Sequence, residues 1–338
     1  MVHARRSAYL AYYFKGMNWP LLRRFMAHTQ EVKGYTRGYQ WSMVLRDSLR
    51  HNISPLEWYQ FDFMNLSEEQ KSTWAGTGTM YEFQLRANPL EARTVLDDKR
   101  LFYEAYQQFF RHRVFDREAL ITQPDYVTEL LSQHRQLVLK AARGKCGRSL
   151  RFIDTAGLRP SELLTAMQAG SHDLFETPIE QHPDLHRLSP SGVNTVRIVT
   201  ALNSHDQAYL LGCRLRISVN SKVDNLAAGN LVAPVDDQTG QVIGPGIYSD
   251  ITRAPQTVHP VTRIPIEGFQ IPHWPACLQM ALEAQKLLSR NRSVGWDIAV
   301  TAEGPSLIEG NHDWCKLVWQ LPVRCGLKSL LDEVALGD

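Results

Sequence analysis

Near the end of the chain, Gly295-Trp296-Asp297-Ile298-Ala299-Val300-Thr301 turns at Glu303-Gly304-Pro305 and returns as Ser306-Leu307-Ile308-Glu309-Gly310-Asn311. In each arm apolar residues flank a polar one, which predicts a β-hairpin. Side chains on a strand alternate between faces, so Glu309 and Asn311 share one face while Gly310 points away. Asp297 on the opposing arm joins them, giving two carboxylates and an amide oxygen at one spot, with no Cys or His among them. That donor set suits a hard cation such as Mg²⁺, which usually keeps room for water and phosphate oxygens. Nucleotide chemistry is the function class this arrangement points to first.

Upstream, Thr195-Val196-Arg197-Ile198-Val199-Thr200-Ala201-Leu202 and Tyr209-Leu210-Leu211-Gly212-Cys213-Arg214-Leu215-Arg216-Ile217 read as apolar strands with arginines set into them. A half-buried guanidinium is costly without an anion, so Arg197 and Arg216 point to a phosphate or carboxylate between them. Internal salt bridges to Asp224 or Glu309 are the competing reading. The turn Val223-Asp224-Asn225-Leu226-Ala227-Ala228-Gly229-Asn230 follows. Asn225 there can position a phosphate-bearing group and Gly229 admits a close backbone, although an Asx turn has the same signature.

Further back, Leu137-Val138-Leu139-Lys140 passes through Ala141-Ala142-Arg143-Gly144-Lys145-Cys146-Gly147-Arg148-Ser149 into Leu150-Arg151-Phe152-Ile153. This reads as a hairpin whose tip can fold over phosphates: Gly144 and Gly147 let the backbone approach, and Lys140 with the loop N–H groups supplies positive charge. A solvated basic loop has the same composition. The segment Phe175-Glu176-Thr177-Pro178-Ile179 ends a further apolar strand and can hydrogen-bond a purine edge, with Glu176 as its polar anchor. It can equally be a plain strand end.

Before these strands the chain reads as helical, with segments near 7–29, 40–50, 67–88 and 97–111, and breaks at Asn18-Trp19-Pro20 and Asn52-Ile53-Ser54-Pro55. Ser67-Glu68-Glu69-Gln70 has the form of a capping box. From 118 onward short β-type runs take over, including Ala119-Leu120-Ile121 and Asp173-Leu174-Phe175-Glu176, punctuated by helices near 160–169 and 275–289. Several connections are too short for crossover helices, so the expectation is an α+β fold with largely antiparallel sheets.

Composition narrows the function further. In 338 residues, 37 basic side chains face 35 acidic ones, which argues against a nucleic-acid binder. Five scattered cysteines without a CxxC pair fit a reducing cytoplasm and no structural zinc. No apolar run is long enough for a spanning helix, and the start of the chain is too short in apolar residues for a signal peptide. The first 50 residues nevertheless hold nine Lys/Arg against Glu31 and Asp47, interleaved with Tyr, Phe, Trp19 and Leu. These helices either present ordinary solvated faces or make peripheral contact with an anionic membrane surface.

Taken together, the elements resemble the ATP-grasp fold. Asp297, Glu309 and Asn311 resemble the metal-binding carboxylate, Glu and Asn of ATP-grasp ligases such as the D-alanine ligases. Arg197, Arg216, Asn225 and Gly229 are similar to the Arg, Arg, Asn and Gly series of the ribosomal-protein glutamate ligases. Asp98-Lys99 resembles the opening of the helix that carries the family's first ATP-contacting lysine, and Lys140 the second. The sugar-transfer-associated ATP-grasp branch is similar in Gln181-His182-Pro183, Asn194-Thr195-Val196-Arg197-Ile198-Val199-Thr200, Val223-Asp224-Asn225, His259-Pro260 and the hairpin itself, so that roughly residues 95–325 are covered. Three departures stand out. Ala141 replaces the usual proline, Gly229-Asn230 replaces paired glycines, and no ribose-binding acid is evident after the hinge, with His182 near that place.

The resemblance implies a helical region over 1–95 and an ATP-grasp domain over 96–338, divided into a nucleotide-clasping part at about 118–185 and a catalytic part at 186–325. It also implies an ATP- and Mg²⁺-dependent carboxylate-amine ligase working through an acyl phosphate, in cell-surface polysaccharide or secondary-metabolite synthesis. ATP would meet Lys99, Lys140, Gly144, Gly147, Glu176, Ile179 and His182; Mg²⁺ would meet Asp297, Glu309 and Asn311; Arg197, Arg216 and Asn225 would serve catalysis on small-molecule carboxylate and amine substrates. The rival readings are a phosphotransferase that stops at an alcohol, and a non-catalytic partner of a membrane glycosyltransferase. Trp274, Trp296, Trp314 and Trp319 read as core residues or as platforms for a sugar ring.

Overall fold

The computed structural model describes residues 2–144 and 150–334. Helices Val2–Lys15, Trp19–Lys33 and Arg37–His51 open the chain. The helical segment over 7–29 is broken at Asn18-Trp19-Pro20 as its sequence predicts, and the one expected to run over 67–88 is broken as well, for a different reason. At the first, Asn18 accepts a hydrogen bond from Leu21 N at 3.1 Å and Pro20 sits in the first turn, so a new helix starts there. At the second, the Ser67–Gln70 capping box forms as its pattern predicts, but the helix it starts ends at Ser72. Trp74 then stacks on Phe61 with ring centroids 4.4 Å apart, and a Cβ at Gly76 would stand 2.5 Å from Ile53 Cγ2. Tertiary packing overrides helix propensity here. The element expected over 97–111 is likewise shorter: Asp98 accepts from Arg100 N and caps helix Lys99–Tyr106.

A small sheet follows, made of β1 (Val114–Asp116), β2 (Gln136–Lys140), β3 (Arg151–Asp154) and β4 (Leu174–Glu176) in the order β1-β4-β2-β3, every pair antiparallel. It therefore begins ahead of position 118. Its inner face (Leu137, Leu139, Phe175) is sealed by Val127, Leu130, Leu163 and Met167 from helices Pro124–Gln133 and Pro160–Ala169. The strand expected at Ala119-Leu120-Ile121 is instead a helical turn, Ala119–Thr122, because Asp116 Oδ1 accepts from Ala119 N at 3.1 Å and bends the chain.

The large sheet holds β5 (Thr195–Leu202), β6 (Ala208–Ile217), β7 (Leu231–Val235), β8 (Ser293–Thr301) and β9 (Gly304–Asn311), in the order β7-β6-β5-β8-β9 and again antiparallel. Val196, Ile198, Leu215, Trp296 and Ile298 cluster with Cys277, Ala281 and Ala284 of helix Trp274–Leu287, which fixes one face of the sheet as core. The alternation that buries them leaves the other face to Thr195, Arg197, Arg216 and Asp297. The turn between β8 and β9 lies at Ala302–Glu303, so Gly304 and Pro305 belong to β9. Proline is tolerated because β9 is an edge strand.

One irregularity in β9 matters. Ile298 pairs with Leu307 while Asp297 pairs with Glu309, so Ile308 is a bulge residue without a partner. Strict alternation would put Leu307 and Glu309 on the same face. The bulge switches parity between them, burying Leu307 in the core while Glu309 faces the cleft between the sheets.

The N-terminal helices have no core of their own. Leu22, Phe25, Trp58 and Trp74 share one apolar cluster with Leu226, Val232, Ile247, Val318 and Leu321. The buried pair Glu57–Lys316, 2.8 Å apart, ties the two regions further. The helical region expected over 1–95 thus packs directly against residues of the later chain.

Candidate active site

The two sheets face each other across a cavity of about 210 Å³. The small sheet contributes Val138, Lys140, Phe152 and Glu176, and the large one Thr195, Arg216, Asp297, Ile308 and Glu309. Lys99, Gly144, Ile179 and Asn225 complete the wall, so residues scattered over more than half of the chain meet at one cleft. A second cavity of about 260 Å³ adjoins it and shares Lys99, Gly144, Arg216, Asn225 and Glu309. Arg197 and Asn311 line that second space.

Asp297 is the electrostatic centre. Arg197 donates to it from Nε at 2.5 Å and from a terminal nitrogen at 2.8 Å, and Arg216 donates to Oδ2 at 2.7 Å. Arg216 also pairs with Asp224 at 2.8 Å, and Asp224 in turn accepts from the Thr195 backbone N and Oγ1. Burial works against the charged form of Asp297, but the guanidiniums of Arg197 and Arg216 outweigh it and hold the carboxyl well below its usual range. Burial likewise opposes the charge on Arg216, which Asp224 and Asp297 more than restore. Arg216 thus pairs with Asp224 as the salt-bridge reading expects, but the acid that both arginines share is Asp297 and not Glu309.

Glu309 stands directly opposite Asp297 without such support. Burial first, and then the neighbouring Asp297 charge, raise its proton affinity, which Lys99 only partly offsets. Asn311 Nδ2 lies 3.3 Å from Gly295 O and 3.4 Å from Glu309 Oε1. Two carboxylates and an amide in adjoining register, with Glu309 lacking a cationic partner in contact among the described residues, fit a hard divalent cation. Another acidic cluster, Asp47, His51 and Glu68, differs in that Lys71 Nζ contacts both of its carboxylates, 2.9 Å from Asp47 and 3.1 Å from Glu68, and leaves neither without a cation.

The opposite wall supplies lysines. Lys99 Nζ donates to Gly144 O at 2.8 Å and its backbone N donates to Ala142 O, so the root of the glycine loop is held to the start of helix Lys99–Tyr106. Desolvation lowers the pKa of Lys99. Lys140 Nζ lies 2.6 Å from Glu176 Oε2, with His112 Nε2 at 3.6 Å from the same oxygen. Burial opposes the Glu176 charge, yet Lys140 and His112 pull its pKa down to about 2. The Glu176 side chain is thus committed to Lys140, and only its backbone is left to meet a ligand edge.

Not every expected residue reaches the cleft. His182 lines neither cavity: its backbone N donates to Val300 O at 2.7 Å, its Nδ1 accepts from Asp184 N, and its ring packs on His273. The chain after the hinge turns away beneath the end of β8, which carries His182 out of the position expected for it. Asn225 lines both cavities, but its Oδ1 accepts from Ala227 N at 3.0 Å and so serves as an Asx cap, with Gly229 left-handed at φ +86° closing the turn. Gly147 and Cys146 lie outside the described residues. Trp274, Trp296 and Trp319 are core; Trp314, equally buried, forms part of the second cavity's wall.

Two groups had no role in the sequence reading. Val138 and Phe152 are cross-strand partners on the small sheet and, with Ile308, give apolar planes suited to the faces of a purine. Lys222 places its ammonium 5.2 Å from the Phe152 ring centroid at the rim of the same cavity. Its position just before Val223-Asp224-Asn225 was the available signal.

A family model described as sugar-transfer associated ATP-grasp matches residues 79–335. No curated protein matches the chain. Among solved structures, an L-amino acid ligase from Bacillus licheniformis is 13% identical with a TM-score of 0.37, over 65% of this chain and 41% of that one. A biotin carboxylase from Campylobacter jejuni, in complex with an ATP compound, is 15% identical with a TM-score of 0.41, over 73% and 48%. The D-alanyl-alanine synthetase A of Vibrio cholerae is 13% identical with a TM-score of 0.40, over 70% and 61%. The chain thus spans less than half the length of the first two of these proteins.

Proposed function

We propose that this chain, which belongs to the sugar-transfer associated ATP-grasp family, is an ATP- and Mg²⁺-dependent ligase that joins a small carboxylate to an amine. The observation that carries the reading is the convergence at one cleft of the Asp297–Glu309 pair, two arginines and two lysines, each from a different segment of the chain. Phosphoryl transfer asks the protein for positioning and charge neutralisation more than for covalent help, and this inventory supplies both.

In this account Val138, Phe152 and Ile308 hold the base and Lys99 and Lys140 the phosphates, for which Lys99 leaves Gly144 O and Lys140 loosens from Glu176. Asp297, Glu309 and Asn311 would hold Mg²⁺, whose chemistry when bound is to neutralise charge on the transferred phosphate. Arg197 and Arg216, fixed by Asp297 and Asp224, keep their cationic edges at the boundary between the two cavities. The substrate carboxylate oxygen attacks the γ-phosphorus, the bond to the bridging oxygen breaks, and ADP leaves. The amine nitrogen then attacks the acyl carbon, the carbon–oxygen bond to phosphate breaks, and phosphate and a proton are released. The second cavity, next to both arginines, is where the carboxylate and amine meet. A role in cell-surface polysaccharide synthesis draws its support from the sugar-transfer association in the family description alone.

The test is ADP and phosphate release with Mg-ATP across a panel of carboxylates and amines. The ligase reading expects release that depends on both partners together. Phosphorylation of an alcohol without any amine would establish the phosphotransferase reading instead.

A further inference from the structure

The N-terminal helices carry a surface that the cleft chemistry does not use. Nine of the fifteen exposed large apolar side chains among the described residues lie before residue 91. Several of them belong to two aromatic groups on the N-terminal helices. Tyr81 lies 6.3 Å from Tyr9 between ring centroids, Tyr9 lies 6.3 Å from Tyr13, and Tyr13 lies 6.2 Å from Tyr12. The next residue, Phe14, stacks on Trp19 at 5.9 Å and reaches Trp41 at 6.1 Å. Tyr12, Trp19, Tyr81 and Leu85 remain exposed, and the tyrosines with Leu85 line an open groove of about 600 Å³.

Cations lie beside both groups, two of them one helical turn from an exposed aromatic. Lys15 is one turn beyond Tyr12, Arg23 one turn beyond Trp19, and Arg86 follows Leu85 at the end of helix Thr77–Ala87. All three are exposed, and none joins an ion pair among the described residues. The acid beside the first group, Glu82, accepts from Tyr9 OH at 3.0 Å. No helix of the described residues is long and apolar enough to cross a membrane, so any lipid contact here is peripheral.

We propose that this face docks on an anionic lipid bilayer, with Tyr12, Trp19, Tyr81 and Leu85 seated at headgroup depth and Lys15, Arg23 and Arg86 against lipid phosphates. Three features select a bilayer over a protein partner. Tyrosine and tryptophan, apolar in body and polar at the tip, suit a water–lipid interface. Long cationic side chains at the rim can bury their stems and keep their charges among phosphates. Of the nine Lys/Arg in the first 50 residues Arg24, Arg46 and Arg50 pair with Asp250, Asp47 and Glu68, and the cationic surplus that is left complements an anionic surface. The groove shares no lining residue with either cleft cavity, so docking through it does not itself occupy the cleft.

The experiment is co-sedimentation of the full chain with phosphatidylcholine vesicles, with and without phosphatidylglycerol, at low and high salt. The expected result is binding only to the phosphatidylglycerol vesicles and its loss in high salt. A Lys15→Gln, Arg23→Gln, Arg86→Gln variant should partition on the order of a hundredfold more weakly, about fivefold per cation removed. Brominated lipid should quench tryptophan emission in the wild type and much less in Trp19→Phe. Unchanged thermal midpoints and unchanged nucleotide binding show that the variants fold, and no readout depends on ligase turnover. Equal binding to both kinds of vesicle, no vesicle binding even at low salt, or full binding by the triple variant would each overturn the proposal.

Discussion

Asp297 and Glu309 face each other across the β8–β9 pair, yet Asp297 alone is clamped by arginines, from Arg197 at 2.5 Å and Arg216 at 2.7 Å. Asp297 is therefore held in place by its arginines, and Glu309, which has no such clamp, is the acid whose charge a cation would balance. Glu309→Ala should lower Mg-ATP turnover by at least about a hundredfold, the scale of losing one electrostatic contact to a developing charge. Its melting temperature without divalent ions should match the wild type. Added Mg²⁺ should raise the wild-type midpoint and leave the variant's unchanged, which differential scanning fluorimetry will read.

Removing Arg216 has a different consequence. Arg216→Ala leaves Asp224 unpaired and Asp297 with half its cationic support, both in the interior, and breaking such a buried pair costs roughly 3–5 kcal/mol. Urea unfolding should show that loss. Arg216→Lys keeps the charge but cannot bridge both carboxylates with a planar fork, so it should recover part of the stability and little of the turnover.

Acid should destabilise the small sheet through Glu176. Its pKa is depressed in the folded protein, from an ordinary 4.5 to about 2, by Lys140 and His112 against the effect of burial. A depressed carboxyl contributes stability that is present above the unfolded pKa and is lost as pH falls through the folded one. The window is thus about 4.5 down to about 2, and the contribution at neutral pH is roughly 3 kcal/mol. Urea midpoints of the wild type should fall across that window. Glu176→Gln, which starts lower because Lys140 loses its partner, should show a correspondingly flatter profile.

Close packing behind the hairpin predicts a steric effect. A Cβ at Gly310 would meet Trp296 Cζ3 at 2.9 Å, Phe102 Cε2 at 3.1 Å and Leu96 Cδ2 at 3.2 Å. Gly310→Ala should cost about 1–3 kcal/mol by overpacking. Because Gly310 separates Glu309 from Asn311, the same change should weaken Mg²⁺ stabilisation, again visible as a smaller thermal shift.

The hairpin, the antiparallel sheets and helix Trp274–Leu287 were legible because each depends on local alternation or helical spacing over several residues. The breaks at Ser72 and Gly76 were not, since the stacking of Trp74 on Phe61 and the crowding at Gly76 by Ile53 exist only once the chain has folded. Of the partners of Arg197 and Arg216, Asp224 was legible and Asp297 was not, because the register that sets Asp297 between them spans a sequence separation of 100. Lys222 and the Val138–Phe152 pair escaped notice because an apolar wall has no motif and a lone lysine in a turn resembles any solvated charge. His182 was misplaced by reading distance along the chain as distance in space.

The most direct test of the account is ADP release under Mg-ATP, measured with carboxylate alone, amine alone and both together, for wild type and Glu309→Ala. The account predicts release by the wild type that requires both co-substrates, amide in the product, and none above background for Glu309→Ala. Equal turnover by Glu309→Ala, or ADP release driven by an alcohol with no amine present, would contradict it.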